Sequence, residues 1–247
     1  MPIIPLIDNT ENAGPASEEL YTNLNFPERE DRPYTVINMV ATVDGKTLIG
    51  PEGSTAHGLG GPTDQLLMRR IQGCVDAAII GASTLRAGHV VYRPEMWRAV
   101  VTRTGDIPFD NRFFTDAPDR AIVFAPHSLP ESDRKQLSAI ARLELCGPTS
   151  VNVIEAARRM RLNYSVRSMA LEGGSTLNYD FISQGLADEL FLTVAPKLKG
   201  GAHLPSIVGG EGFPDHEYKD MSLVSLYRDG DELYFRYRIG DIGRVKS

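Results

Sequence analysis

The sequence predicts an α/β protein with a mostly parallel central sheet, flanking helices and a C-terminal antiparallel hairpin. Short continuous apolar runs, such as residues 76–81, are typical of strands that are buried on both faces. Segments with helical spacing alternate with these runs, and this alternation is typical of parallel sheets covered by helices. Near the C-terminus, the Arg-Asp-Gly-Asp sequence at 228–231 separates two β-favouring segments, which is a strong hairpin signal.

Eight strands and three helices are predicted from local patterns. The predicted strands are residues 34–41, 76–81, 98–102, 120–125, 168–171, 188–195, 222–227 and 232–239. Helices are predicted after Pro62, over 150–160 and over 175–184, where apolar residues recur at helical spacing. Ser150 has the residue type of an N-cap for the second helix, and Gly185 has the type that ends the third.

The final predicted strand alternates between two kinds of side chain. Those expected to face the core are Leu233, Phe235, Tyr237 and Ile239, and those expected on the opposite face are Tyr234, Arg236 and Arg238. Tyrosine and arginine are enriched at protein interfaces, so the second set favours a homodimer that uses this part of the sheet. A solvated outer face would be compatible with the same residues.

Composition limits the class of protein. The chain has 247 residues and a net charge of −6, which argues against nucleic acid as the main partner because phosphate binding needs a basic surface. It contains neither a long apolar run nor the basic start of a signal peptide, so a cytoplasmic protein without membrane contact is expected. Its two cysteines, Cys74 and Cys146, are too far apart in sequence to indicate a metal site. We expect an extended N-terminal arm over residues 1–33 and a single domain over 34–247.

Two glycine-containing turns follow buried strands. In residues 171–177 (Leu-Glu-Gly-Gly-Ser-Thr-Leu), glycines lie between a strand and a helix start, where backbone N–H groups can bind an anion. Residues 80–86 place Gly81 and two hydroxyl side chains after another strand. Two such turns in one sheet favour a ligand with two anionic portions, such as a dinucleotide. The G-x-G-x-x-G pattern of Rossmann dehydrogenases is absent from the sequence.

A third segment, residues 38–46, ends a strand in a polar loop. Asp44 and Lys46 lie two residues apart, a spacing compatible with substrate recognition or proton transfer and equally with a plain Asp-Gly turn. His57 lies in a loop rich in glycine and serine, where substrate contact and simple solvation are both compatible with the sequence. The spacing of the histidines does not indicate a metal ligand set.

In combination, these segments resemble the pyrimidine reductases of riboflavin biosynthesis, which are relatives of dihydrofolate reductase. The resemblance runs from about Tyr34 to Ile239 and rests on several motifs in order. These are Thr-Val-Asp-Gly-Lys at 42–46, Ser54, Ile-Gly-Ala-Ser-Thr at 80–84, Glu-Gly-Gly-Ser-Thr-Leu at 172–177, Gly-Leu-Ala-Asp-Glu at 185–189 and Leu-Thr-Val-Ala-Pro at 192–196. The resemblance implies a dihydrofolate-reductase-like fold and a homodimer. The deaminase signature of bifunctional members is absent here, so reductase activity alone is expected.

The resemblance also implies the reaction and the roles of residues. NADPH would deliver a hydride to C1′ of a ribosylamino-pyrimidine 5′-phosphate, giving the ribitylamino form. The implied cofactor contacts are Ala41, Gly81, Ala82, Ser83, Thr84, Thr102, Arg103, Gly173, Gly174, Ser175, Thr176 and Leu177, with the Arg103 guanidinium suited to a 2′-phosphate. The implied catalytic groups are Asp44, Lys46 and Glu172. The implied substrate contacts are Asn38, Ser54, His57, His89 and Arg93, with Ser54 at the phosphate.

One segment departs from the family pattern. Many members follow the second turn with Asp-Asp-Pro-x-Leu-Thr-x-Arg, whereas residues 87–94 here read Ala-Gly-His-Val-Val-Tyr-Arg-Pro. The acidic residue is lost, and the polar side chains left in this segment are His89, Tyr92 and Arg93. A reductase of the same fold with another substrate, such as dihydrofolate or a pterin, therefore stays open, as does a non-catalytic nucleotide-binding protein.

Overall fold

A ten-stranded sheet runs through the chain in the strand order β1-β9-β10-β8-β2-β7-β3-β4-β5-β6. The structure is a computed structural model that describes residues 3–10, 19–51, 53–88 and 90–244. The strands are β1 Ile4–Asp8, β2 Tyr34–Thr42, β3 Ala77–Gly81, β4 Trp97–Val101, β5 Ala121–Ala125, β6 Arg142–Leu145, β7 Ser168–Leu171, β8 Glu189–Ala195, β9 Glu217–Asp229 and β10 Glu232–Arg244. The helices are α1 Pro62–Gly73, α2 Ala82–Ala87, α3 Arg112–Thr115, α4 Glu131–Ser138, α5 Val153–Tyr164 and α6 Ser175–Ser183.

Seven neighbouring strands, from β8 to β6 in the sheet order, are parallel to one another. The β9–β10 hairpin then pairs antiparallel with β8, and β1 pairs antiparallel with β9. This arrangement confirms the predicted fold class of a mostly parallel sheet with a C-terminal antiparallel hairpin. The N-terminal segment, expected as an extended arm, contributes β1 to the outer edge of the sheet.

Helices cover both faces of the sheet and divide the core into two layers. On one face, α1 to α4 pack through apolar side chains such as Leu67, Leu85 and Phe113. On the other face, α5 and α6 pack through side chains such as Met160 and Phe181. Burial of strands on both faces explains why their sequences are continuous apolar runs. Among the described residues, no helix combines the length and apolar character needed to cross a membrane.

Several elements carry no clear sequence signal. Helix α4 buries only one side chain, that of Leu137, so its sequence has no apolar stripe. Strand β6 has four residues and is only partly buried, so it lacks the continuous apolar run of the central strands. Strand β1 is mostly exposed and is held by its pairing with β9. These elements are defined by tertiary contacts more than by local sequence.

The predicted N-cap of α5 is wrong by two residues. The helix begins at Val153, and the cap is Asn152, whose side-chain oxygen accepts hydrogen bonds from the amides of Ile154 and Glu155 at 3.1 Å each. Ser150 is exposed and lies before the cap. Both residue types are good caps, so the position is decided by where the backbone turns into the helix.

The predicted orientation of the last strand is wrong at Tyr234 and Arg236. Tyr234 is only 2% exposed and belongs to the core layer that contains Tyr21 and α1. On the same face, the Arg236 guanidinium pairs with the Glu189 carboxylate, with 2.8 Å between Nε and Oε2. On the opposite face, Leu233 and Phe235 are partly exposed, whereas Tyr237 and Ile239 are partly buried against the second core layer, as predicted. The reason is that residues around Tyr21 and α1 cover the face that local alternation assigned to solvent.

We expect Asn152→Ala to destabilise the protein by about 1 kcal/mol, because two amides at the start of α5 lose their side-chain acceptor. Urea denaturation followed by circular dichroism measures this change in the free energy of unfolding. Ser150→Ala is the matched control and should change the free energy of unfolding by only a few tenths of a kcal/mol. Equal losses in the two variants would contradict the assignment of the cap.

Candidate active site

The carboxyl ends of four adjacent parallel strands bring the predicted site segments to one edge of the sheet. In sheet order, these strands are β2, β7, β3 and β4. The segments that follow them are residues 42–46, 172–177, 81–84 and 102–103. Ligands of open α/β sheets bind outside the carboxyl ends of the strands, so this edge is the candidate active site.

The two glycine turns are in direct contact. The Gly81 amide donates a hydrogen bond to the Gly173 carbonyl at 2.9 Å. A Cβ atom on Gly81 would lie 3.6 Å from the Gly174 nitrogen, and one on Gly174 would lie 3.2 Å from Ser83 Oγ. Gly173 has φ of +88° and is followed by a cis peptide bond. A side chain on Gly174 would therefore crowd the neighbouring turn, and Gly173 has a backbone conformation that favours glycine.

Backbone amides at this contact are available to a ligand. Helix α6 begins at Ser175, its N-cap is Gly174, and no side chain caps it. The amides of the first turn of a helix have no partner within the helix, and they attract negative charge. Thr176 is exposed beside them, whereas Leu177 is buried in the core and anchors the helix. Leu177 thus holds the start of the helix against the core, and the first-turn amides have no side-chain cap.

The end of β4 places a cation near the glycine turns. Thr102 is buried, and its hydroxyl accepts a hydrogen bond from the Gly105 amide at 3.0 Å, which fixes the turn after the strand. Arg103 is exposed and forms no ion pair within the described part of the chain. Its guanidinium is therefore available to an anionic group of a ligand.

Asp44 is an anchor between two loops. Its Oδ1 accepts hydrogen bonds from the Thr42 hydroxyl at 2.6 Å and the Lys199 amide at 3.0 Å, and its Oδ2 accepts one from the Gly200 amide at 2.6 Å. These bonds, the one from Thr42 above all, lower the pKa of Asp44 to about 2. The carboxylate is therefore ionised at neutral pH and is not a proton donor there.

Lys46 lies in the same pair of loops. Its ammonium donates to the Leu204 carbonyl at 3.4 Å, and its backbone forms a β-bridge with Ser206. Ala41, the second-last residue of β2, is buried. The loop after β2 is thus held by residues 199–206, far along the chain.

Glu172 is in a different environment. Its Oε1 accepts a hydrogen bond from Gln72 Nε2 at 2.8 Å, and its Oε2 accepts one from the Tyr92 hydroxyl at 2.8 Å. The Asn38 side chain is a third hydrogen-bond partner. Burial raises the pKa of Glu172, and the three hydrogen bonds oppose that rise. Of the two candidate acids, Glu172 is the one that can titrate closer to neutral pH.

The predicted substrate contacts are only partly brought together. Asn38 lies beside Glu172, and Ser54 has a buried hydroxyl that finds no partner among the described residues. His57 is exposed, and His89 lies outside the described residues. Arg93 lies apart from the site: it donates to carbonyls at the C-terminal end of α1 and lines a cavity of about 380 Å³ beside the amino ends of β3 and β4.

Gln72 is a site residue that sequence reasoning missed. It is a polar residue near the end of α1, and nothing in its local pattern distinguishes it from other polar helix positions. Tyr92 was named as a polar residue of the departing segment, but its contact with Glu172 joins residues 80 positions apart. Within the described ranges, no group of histidine, cysteine, aspartate or glutamate residues is arranged to hold a metal ion.

The chain matches a known protein family. Residues 33–235 match the model of the RibD C-terminal domain. The chain belongs to this family. The matched region includes both glycine turns, the loop after β2 and most of the hairpin.

Individual relatives of this RibD-type chain are similar over most of its length. It is 27% identical over 219 residues to a Methanothermobacter thermautotrophicus protein named 2,5-diamino-6-ribosylamino-4(3H)-pyrimidinone 5′-phosphate reductase, covering 84% of this chain and 99% of that one. It is 26% identical to an Archaeoglobus fulgidus protein of the same name, covering 74% and 89%.

Solved structures share the fold of this RibD-type chain. Acinetobacter baumannii RibD superposes with a TM-score of 0.70 at 18% identity, covering 85% of this chain and 59% of that one. A pyrimidine reductase-like protein from Corynebacterium diphtheriae superposes with a TM-score of 0.70 at 20% identity, covering 85% and 93%. At these identities the likeness supports the fold.

We expect Asp44→Ala to accelerate amide hydrogen exchange at Lys199 and Gly200 by about tenfold, because both amides lose a charged acceptor. In the unchanged protein, the anchor should persist as pH falls until it approaches about 2, where Asp44 is protonated. Hydrogen exchange measured by NMR at a fixed pH near 6 tests the substitution.

The control is Asp110→Ala, at an exposed aspartate away from these loops. It should leave both exchange rates unchanged. Protection of Lys199 and Gly200 that survives in Asp44→Ala would mean that the loop is held without this carboxylate.

Proposed function

We propose that this chain is an NADPH-dependent reductase that converts a ribosylamino-pyrimidine 5′-phosphate into its ribitylamino form. The observation that carries the proposal is the contact between the two glycine turns at the carboxyl edge of the sheet. The names of the Methanothermobacter and Archaeoglobus relatives support the same substrate class. As a biosynthetic reductase, the protein is expected in the cytoplasm.

The residues at the edge fit a phosphorylated dinucleotide. Side chains at Gly81 and Gly174 would narrow the cradle that backbone amides form, and both positions lack them. Residues 81–84 and 173–177 would hold the pyrophosphate, and Arg103 would bind a 2′-phosphate through its exposed guanidinium. When bound, the cofactor would supply the hydride, and the chain would supply alignment.

Polar side chains of the chain would shape the site and bind the substrate. The ionised Asp44 carboxylate keeps residues 199–200 against the loop after β2, which shapes the wall of the site. Lys46, in the same loop, would approach the sugar. Glu172 would accept a hydrogen bond from a substrate hydroxyl, and Ser54 would donate its unpartnered hydroxyl to the substrate phosphate. Asp44, a catalytic group by the family resemblance, is thus proposed as a structural anchor.

A reductase of the same fold with another substrate is the second candidate. The observation that favours it is the altered segment at 87–94, in which Arg93 is bonded to the end of α1 and away from the edge. Reduction of a different carbonyl compound or of dihydrofolate would require a changed substrate-binding part of the site beside an unchanged cofactor-binding part.

An NADPH oxidation assay separates the candidates. Turnover with the ribosylamino-pyrimidine phosphate supports the first, and turnover with dihydrofolate alone supports the second. Tight NADPH binding without turnover of either compound would indicate a non-catalytic nucleotide-binding protein.

We expect Arg103→Ala to weaken NADPH binding by about 1 to 3 kcal/mol, because a charge-assisted contact with the 2′-phosphate is lost. NADH affinity should barely change, since NADH lacks that phosphate. Isothermal titration calorimetry with both cofactors measures the difference. Arg112→Ala, at an exposed arginine of α3, is the control and should change neither affinity. Equal losses of affinity for the two cofactors would show that Arg103 does not bind the 2′-phosphate.

A homodimer is also proposed, on a different face from the one first expected. The partly exposed face of the hairpin is apolar, and cross-strand pairing places Phe235 beside Leu226 and Leu192, and Leu233 beside Val194. A continuous apolar patch of this kind marks a protein interface. The interface residues are thus the aliphatic and aromatic set, because Tyr234 is buried within the chain.

We expect light scattering to give a mass near twice the 27.1 kDa of one chain, and Phe235→Asp to give a mass near that of one chain. An unpaired carboxylate in an apolar interface is costly. Leu162→Asp, on the exposed side of α5, is the control and should leave the dimer intact. A monomeric unchanged protein, or a dimeric and folded Phe235→Asp protein, would contradict this interface.

A further inference from the structure

Tyr92 connects the segment that departs from the family pattern to the acid of the site. Its side chain is buried, with 5% exposure, and its hydroxyl donates to Glu172 Oε2 at 2.8 Å. Its neighbour Arg93 is bonded elsewhere, to the Gln72 and Val75 carbonyls. The altered segment therefore reaches the site through the Tyr92 hydroxyl.

Three neutral donors surround the Glu172 carboxylate. The Tyr92 hydroxyl and Gln72 Nε2 each bond one of its oxygens at 2.8 Å, and the Asn38 side chain is the third partner. An ionised carboxylate has about four acceptor positions on its two oxygens. Glu172 is only partly buried, so about one acceptor position is left for a ligand that enters from the edge of the sheet.

We propose that Tyr92 is a positioning residue that holds the Glu172 carboxylate so that a single substrate hydroxyl can bind to it. This inference rests on the proposed function, because it takes the ligand to be the sugar portion of the reductase substrate. It assigns to Tyr92 a role in substrate selection. An amino-pteridine ring donates two hydrogen bonds to a carboxylate. With the Tyr92 hydroxyl in place, Glu172 would lack one of the two acceptor positions that such a ring needs.

The Tyr92 ring is itself fixed. It packs edge-on against Phe113 with 6.2 Å between ring centroids, and the Arg98 guanidinium carbon lies 5.9 Å from its centroid. Arg98 is fully buried, and its Nη2 donates to the Arg93 carbonyl at 2.8 Å. Because the ring cannot turn without disturbing these contacts, its hydroxyl stays directed at Glu172.

Few charges act on Glu172. No lysine, arginine or histidine forms an ion pair with its carboxylate within residues 3–10, 19–51, 53–88 and 90–244. Its partners on α1 and β2 are the neutral amides of Gln72 and Asn38, and the Arg98 guanidinium of β4 lies against the Tyr92 ring. Burial raises the pKa of Glu172, and the Tyr92 hydroxyl is among the groups that oppose this rise.

Removal of the Tyr92 hydroxyl thus has a predictable sign. Tyr92→Phe takes one donor from the ionised form of Glu172, so the pKa of Glu172 should rise. If the ionised carboxylate binds the substrate hydroxyl, the acid limb of kcat/KM should move to higher pH. The KM for the pyrimidine substrate should rise about tenfold, the scale of one hydrogen bond to a charged group, with a smaller change in kcat.

The experiment compares kcat/KM against pH for the unchanged protein, Tyr92→Phe and Tyr164→Phe. Tyr164 is the matched control, because its hydroxyl donates to the Glu144 carboxylate at 2.6 Å, at the far end of α5. We expect a shifted acid limb in Tyr92→Phe alone, with unchanged NADPH affinity. A profile that superposes on that of the unchanged protein, or an equal shift in Tyr164→Phe, would overturn the role of Tyr92.

A second measurement does not depend on the substrate. In protein labelled with ¹³C at glutamate carboxyl groups, NMR titration reports the pKa of Glu172 directly, with Glu172→Gln used to assign its signal. A higher pKa in Tyr92→Phe supports the contact even if the pyrimidine proves not to be the substrate. An unchanged pKa overturns the inference whether or not the pyrimidine is reduced.

Discussion

The hydrogen bond between the Gly81 amide and the Gly173 carbonyl is the constraint on which the rest of the site depends. It joins the ends of β3 and β7, which are neighbours in the sheet, and it does so with backbone atoms alone. A side chain on Gly174 would crowd Ser83 on the opposite turn. Because the turns touch, the amides that begin α6 and the Glu172 carboxylate, which follows β7, have fixed positions relative to each other.

The two carboxylates at this edge have opposite pKa shifts because their environments differ. Asp44 accepts a hydroxyl and two amides and lies in solvent, so its charge is stabilised and its pKa falls to about 2. Glu172 also has three partners, but burial acts against its charge and is the larger effect on its pKa. The first carboxylate is therefore suited to hold a loop, and the second to respond to a ligand. Pairs of acids with opposite shifts are a common basis for assigning roles in active sites.

Local patterns were sufficient for the parts of the structure that are set by burial. The central strands are continuous apolar runs because both faces are covered, and Gly185 ends α6 with φ of +67°, as its residue type predicted. Apart from the N-cap of α5, the errors concern side chains whose surroundings come from distant segments. Tyr234 is buried because Tyr21 and α1 cover it, and the alternation of residue types within β10 does not reveal this contact. In the same way, the contact of Tyr92 with Glu172 depends on how residues 90–96 return to the sheet.

The two halves of the candidate site consequently differ in how freely they can change. The proposed cofactor half is made of backbone amides and glycines, so most substitutions there either block the cradle or strain the turn. The substrate half is made of side chains that meet from α1, β2 and the segment before β4. A substitution in that segment alters the acceptor positions of Glu172 and leaves the hydrogen bond between the turns intact. A family with this division can retain its cofactor while its substrate changes, and the departure at 87–94 lies in the half where such a change costs the fold least.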